Sequence, residues 1–252
     1  MAAAGDGVER NALGQEVGGS LADWRPPSRP DGRALEGRFC TVERLQAGRH
    51  APSLYAANTL DREGRMWTYL PHGPFADFAD YHAWVERAEG SVDPWFYAII
   101  DKGRGSATGI ASYLRICPEA GSIEVGALVF SPLLQRRPAA TEAMALMMGH
   151  AFALGYRRYE WKCDALNEAS RAAALRLGFH YEGTFRKAAV VKGRNRDTAW
   201  FSVTDDEWPA LQGIFAHWLD GANFDTEGRQ RVALSDLTHA WRAGLENTSS
   251  AR

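Results

Sequence analysis

The sequence predicts an α/β protein of the α+β type: one domain on a mostly antiparallel sheet with helices on its faces. Three observations predict it. The elements run strand, helices, three strands, helix, strand, helix, hairpin, helix. Turn-rich junctions fold two pairs of strands into antiparallel hairpins. One strand–helix–strand passage near the middle supplies a parallel crossover.

The chain bounds the answer first. Its 252 residues suffice for one sizeable domain or two small ones, and 45% are hydrophobic, enough for a substantial core. The 29 basic and 31 acidic residues give a formal charge of −2, so no basic excess points to nucleic acid or an anionic membrane. Cys40, Cys117 and Cys163 are far apart and lack metal-ligand spacing, which predicts reduced thiols and no metal. Met1 to Gly7 has no basic flank before an apolar run, and no stretch of about 18 apolar residues occurs. A cytoplasmic protein is expected.

Residues 1–35 are rich in Gly, Pro and charge and are expected to form a tail and an extended arm, packed through Leu21 and Trp24. Phe39, Thr41 and Val42 begin the first strand, and a helix is expected over Ala51–Thr59. Met66–Leu70 is short and aromatic. Phe78, Tyr81, Trp84 and Val85 stand at helical spacing over Asp77–Ala88, with Asp77 as the cap. Trp95–Ile100, Thr108–Ile116 and Ser122–Phe130 read as strands, the last two joined by the turn around Gly121. Ala139–Leu154 is a strong helix stopped by Gly155. Tyr159–Cys163 is a strand, and Asn167 caps a helix through Leu177 that Gly178 ends. Thr184–Val191 and Thr198–Val203 form a hairpin around Lys192-Gly193-Arg194-Asn195. Asp205 and Asp206 open a last helix bearing Trp208, Leu211, Phe215 and Trp218, whose apolar face is a candidate homodimer surface. A short helix near Leu234–Trp241 follows. The division expected is 1–35 arm, 36–221 domain and 222–252 extension, packed on the domain or partly disordered.

Two segments carry chemistry. Ile123-Glu124-Val125-Gly126-Ala127-Leu128-Val129-Phe130-Ser131-Pro132 runs through Leu133-Leu134-Gln135-Arg136-Arg137 into a helix start at Pro138-Ala139-Ala140-Thr141-Glu142-Ala143. Proline suits a first helical turn, small side chains leave its N–H groups accessible, and Arg136 and Arg137 add positive charge, so a pyrophosphate fits here. An ordinary helix start with a solvated arginine pair is the plainer reading of this segment alone. The second is Asn167-Glu168-Ala169-Ser170 with Leu177-Gly178-Phe179 after it.

Together, the Glu-x-Gly strand ending at Ser131-Pro132, the Gln135–Ala140 loop before Ala-Thr-Glu-Ala, and Asn167-x-x-Ser170 resemble the GNAT superfamily of acyl-CoA N-acyltransferases, over Arg38 to Trp208. The closest likeness is to its ribosomal-protein and small-amine (Rim-type) branch. The resemblance implies a twisted sheet of about seven strands. It departs in two places. The glycines usual in the phosphate loop are replaced at Arg136, Arg137 and Pro138, and the position of the usual acidic tyrosine is Ala174.

The resemblance implies acetyl transfer from acetyl-CoA to a primary amine of a small molecule or peptide N-terminus, by direct attack in a ternary complex. Leu128, Val129, Phe130, Gln135, Arg136, Arg137, Ala139, Ala140, Thr141, Asn167 and Ser170 would hold the donor. Glu124 would be the base and Ser170 the group at the departing sulfur; a structural carboxylate and a backbone-bonded serine are the plainer readings of the same residues. Trp67 and Tyr69, with Glu124, would line the acceptor pocket, a buried core edge being the plainer reading of Trp67. The charged tip Lys192–Asp197 is either a solvated turn or an edge of that pocket. Two alternatives stand beside catalysis with acetyl-CoA: acyl-CoA binding alone, and a longer donor such as succinyl-CoA.

Overall fold

A computed structural model describes residues 7–249. A short hairpin, β1 (Val8–Arg10) and β2 (Glu16–Gly18), stands apart from the rest. It lies within the stretch expected to form a tail and an extended arm. Asn11 builds its turn, the side-chain oxygen accepting the N–H groups of Leu13 and Gln15. The stretch read as lacking a leader lies, apart from Gly7, outside the described residues. The arm that follows runs along the domain: Trp24 closes on Gly121, and Arg29 donates to the carbonyls of Ile116 and Val92.

The main sheet follows: β3 (Leu35–Glu36), β4 (Cys40–Arg44), β5 (Trp95–Asp101), β6 (Ser106–Cys117), β7 (Ser122–Phe130), β8 (Arg158–Asp164), β9 (His180–Val191) and β10 (Arg194–Thr204). Their order is β3-β4-β5-β6-β7-β8-β10-β9, eight strands. Every pairing is antiparallel except β7 with β8. The strand beyond the expected seven or so is β3, two residues between the Pro-rich arm and Gly37. The helices are α1 (Ala47–Asn58), α2 (Phe78–Glu89), α3 (Pro138–Ala153), α4 (Glu168–Arg176), α5 (Trp208–Leu219) and α6 (Leu234–Ser249).

Local chemistry explains the boundaries. Asp77 caps α2 by accepting the N–H of Asp80, and Asn167 caps α4 by accepting that of Ser170. Helix α1 begins four residues before the expected Ala51 and carries Pro52 inside it. Its Gly48 and Pro52 resemble breakers in the sequence, yet Ala47, Ala51 and Leu54 are buried on one face, and that packing prevails. The β9–β10 hairpin is longer than expected. Lys192 and Gly193, at φ 50° and 71°, form a two-residue turn, and bulges absorb residues that interrupt the strand pattern.

The central strands are buried on both faces. In β5, Phe96 and Ala98 join α1 and α2 on one side, while Tyr97 and Ile99 join the core under α3, α5 and α6 on the other. Strands β8 and β10 place their buried apolar side chains on the second face, through Tyr159, Trp161 and Cys163 and through Ala199, Phe201 and Val203. Their other face lies beyond the α1–α2 layer. The sheet therefore has a step, with helices ending and open strand beginning.

The C-terminal extension is packed on the domain. Leu234 is fully buried in the main core, and Thr238 donates to the carbonyl of Arg176. The apolar face of α5, expected as a dimer surface, is consumed here instead: Leu211, Phe215 and Trp218 are buried, and Trp208 stacks on Phe152.

One carboxylate ties α3 to the entrance of β4. Glu142, buried in α3, accepts the backbone N–H groups of Arg38, Phe39 and Cys40 at 2.7, 2.6 and 2.8 Å. A Cβ at Gly37 would fall 2.3 Å from that carboxylate, so only glycine leaves it room. Glu142→Ala removes the acceptor of three backbone donors, one buried and two part-buried, and should cost about 3–5 kcal/mol. Urea unfolding measures this; an unchanged midpoint would show that water replaces the carboxylate.

Candidate active site

The site begins where the one parallel pairing stops. Strands β7 and β8 pair from Ser122 with Arg158 to Val125 with Trp161, and no further. Beyond Val125 strand β7 carries an extra residue against β6: Gly126 faces Ser112, and the next partner of Ile110 is Val129. Ala127, inside this bulge, has φ 49°. The bulge turns β7 away from β8, leaving backbone from Gly126 to Leu128 at the wall of a cleft of about 550 Å³. The cleft runs from the gap to the open face of β8 and β10. Tyr69 to His72 bound it on one side, and Phe185, Arg196 and Trp200 on the other.

Glu124 lies at its floor, with 4% of its side chain exposed. One carboxylate oxygen, Oε2, carries both cations: Arg115 Nε donates at 2.7 Å and Lys162 Nζ lies at 3.1 Å. The other, Oε1, points over Gly126, where a Cβ would stand 3.2 Å away. Burial pushes the Glu124 carboxyl above its usual range, against the pull of Arg115 and Lys162. Lys162 Nζ also lies 2.8 Å from Glu160 Oε2 and 3.3 Å from the centre of the Trp200 ring. Burial alone would raise Glu160; hydrogen bonds from Arg158 and Lys162 hold it below its usual range. Neither Arg115 nor Lys162 was among the sequence-derived candidates. The signal was present in the alternation Arg158-x-Glu160-x-Lys162-x-Asp164, which puts a charge on every second residue of β8.

The structure brings Glu124, Leu128, Tyr69, Asn167 and Ser170 to this cleft. Ser170 Oγ accepts the indole N–H of Trp161 at 3.0 Å, leaving its own hydroxyl hydrogen available. Cys163 beside it is raised by burial. Trp67 is elsewhere: it is 4% exposed, packed edge-on against Phe75 in the α1–α2 core, and does not line the cleft. Only its carbonyl takes part, accepting Lys192 Nζ at 2.8 Å; the carbonyl of Gly73 accepts the same ammonium at 2.7 Å. The hairpin tip is thus clasped to the loop it faces. Tyr69 makes a second bridge, donating to the carbonyl of Leu166.

The loop before α3 is compact. The N–H groups of Leu134 and Gln135 donate to Ser131 and that of Arg137 to Leu134, so three donors are used internally. The Gln135 side chain folds back onto the Phe130 carbonyl at 2.8 Å. Arg136 has φ 59°, the left-handed conformation that glycine adopts most readily. Arg136 and Arg137 are exposed at the helix start, Ala139 is buried and Ala140 half-buried. Thr141 Oγ1 accepts from Arg176, which ties α3 to α4. Val129 is buried among α1–α2 residues, and Phe130 packs beside Gly109. These positions offer backbone and arginine charge rather than a lined pocket.

A β-bulge splits the parallel strand pair, a carboxylate lies at the split, and a helix follows the end of the bulged strand. The acetyltransferase (GNAT) domain model matches residues 41–180, and the chain belongs to that family. A GCN5-related N-acetyltransferase from Brucella melitensis is 45% identical, with a TM-score of 0.85 over 87% of this chain and 100% of that one. A GNAT-family protein from Chromobacterium violaceum is 41% identical, with a TM-score of 0.72 over 77% of this chain and 97% of that one. The ribosomal L7/L12 acetyltransferase RimL shares the fold at 19% identity, with a TM-score of 0.59 over 68% of this chain and 94% of that one. A comparison with curated proteins finds no match.

His72 was also absent from the sequence-derived candidates. It lines the cleft, its ring lies 4.5 Å from that of Trp84, and its Nε2 is buried without a partner. Burial, and then Lys192, lower it from 6.5 to about 4. The unfolded chain takes up this proton before the folded one does. The stability tied to neutral His72 is therefore fully present above pH 6.5 and is lost as pH falls toward about 4. His72→Phe keeps a ring against Trp84 and should flatten the stability profile across that window in urea titrations. A wild-type slope in the variant would assign the effect to His50 or His150, which burial also lowers.

Proposed function

We propose that the protein moves an acetyl group from acetyl-CoA to a primary amine, on a small molecule or a peptide N-terminus, by direct attack within a ternary complex. The observation that carries this reading is the asymmetry of Glu124. Two cations grip Oε2, while Oε1 faces the point where β7 leaves β8.

The chemistry needs a proton removed from the amine, charge held on the carbonyl oxygen, and a proton supplied to the sulfur. Glu124 Oε1 takes the first proton as the C–N bond forms. Arg115 and Lys162 fix the carboxylate's orientation, and burial raises its basicity toward neutral pH. Backbone N–H groups of the bulge around Ala127 and Leu128 face the carbonyl oxygen. Ser170, oriented by Trp161, gives its hydroxyl hydrogen to the sulfur as the C–S bond breaks, and solvent restores it. Arg136 and Arg137 supply positive charge for the donor's phosphates in place of the backbone N–H groups that loop glycines would expose.

Glu124→Gln should lower kcat by about 10²- to 10⁴-fold while leaving the Kd for CoA within about twofold. Thiol-release assays over an amine panel, paired with calorimetry, read the two quantities separately. Undiminished turnover in this variant would remove Glu124 as the base, and no CoA binding at millimolar concentration would sink the reading as a whole.

A further inference from the structure

Most charges in and behind the cleft compensate one another; among the described residues, Arg196 and Asp164 of its lining form no ion pair. Arg115, Glu124, Lys162, Glu160, Arg158 and Glu182 form an unbroken chain of alternating sign, each member paired with the next. Arg196 stands outside it. This arginine is half-buried on the β10 wall, and Nε donates to Thr198 Oγ1 at 3.2 Å. Among the described residues no carboxylate oxygen lies within 4.0 Å of its guanidinium nitrogens. Asp197, next to it on β10, accepts the N–H of Lys187 and the side-chain amide of Asn195, and Asp164 of β8 accepts the N–H of Leu166 through Oδ1.

Its surroundings leave room for a ligand. Strand β8 pairs with β10 only from Asp164 and Thr198 onward, so Arg196 overhangs the end of β8. Its partner on β9 is Ala189, and Ala188 beside it is equally small. Trp200 and Phe185, with ring centres 4.9 Å apart, back the same wall. A guanidinium partly withdrawn from water, with unused N–H donors and space before it, is matched to a planar or tetrahedral anion.

We infer that Arg196 binds a carboxylate or phosphate carried by the acceptor, so that the preferred substrates are short amines bearing an acidic group. This rests on the acetyl-transfer reading above. The wall favours the acceptor over the donor: Arg196 belongs to the late hairpin facing Tyr69–His72, whereas the donor's phosphates belong at the start of α3. The spacer must be short. Arg196, Cys163 and Ser170, where the sulfur departs, line the same cleft. Amino acids and aminoalkyl phosphates carry an amine and an anion a short distance apart; an uncharged peptide N-terminus offers Arg196 no anion.

The test uses matched amines with acetyl-CoA: β-alanine against β-alaninamide, and 2-aminoethyl phosphate against ethanolamine. Thiol release gives kcat/KM. Calorimetry of the N-acetylated forms with CoA present gives Kd where turnover is slow. The anionic member of each pair should be preferred by about 10- to 100-fold. Arg196→Ala should erase that preference while changing the neutral member by no more than about threefold, and Arg196→Lys should restore part of it. Equal handling of both members by the wild type, with CoA still bound, overturns the inference and leaves the transfer reading intact. An equal loss on both members in Arg196→Ala overturns it too. A preference that appears only with succinyl-CoA on the neutral amines puts the anion on the donor and refutes the acceptor assignment. Failure to bind CoA in any arm refutes the transfer reading instead.

Discussion

Strand β7 beside β8 is the one parallel pair in an otherwise antiparallel sheet, and its pairing ends four residues from the start. A parallel neighbour requires a crossover, and here that crossover is α3. The bulge at Ala127 then prevents the two strands from staying together along their length. Backbone that an unbroken sheet would bury in its own ladder is turned to a cleft instead. The carboxylate before the split, the helix start after it and the second helix start at Asn167 all take their places from this departure.

The step in helical cover is the second determinant. Helices α1 and α2 cover β5 and β6 and stop, so the remaining strands keep one face free of helix packing. A bare face of charged residues would repel itself or seek water. Here the signs alternate across four strands, and each charge is paired with an opposite one. The pairs are partly desolvated, so their value lies in geometry more than in net stability. They fix which oxygen of Glu124 is engaged and which is free.

Much of the fold was legible because its signals are local. Asp77 and Asn167 cap where their residue types say they should, and Gly155 and Gly178 stop helices with positive φ. Glu124 was legible through its Glu-x-Gly context. Lys162 was not, because its role depends on which strand lies beside β8, and that register is set by tertiary pairing. Trp67 and Tyr69 share one aromatic run, yet one is buried and the other reaches the cleft; nothing at their own positions distinguishes them. The α5 face read as a dimer surface because the sequence does not reveal that α3 already covers it. The early start of α1 was hidden by Gly48 and Pro52, whose propensities packing overrides.

Glu142 and Gly37 form a matched pair of a different kind from any salt bridge. One supplies a side chain, and the other is needed for having none. They are over a hundred positions apart, on a helix and at a strand entrance, and neither can change freely while the other stays. A descendant that lost the carboxylate would release position 37 to accept any residue, and one that gained a side chain at 37 would first have to give up the carboxylate. The two positions should therefore be inherited together, which makes a glycine that resembles ordinary loop filler a marker of how this strand is attached to its helix.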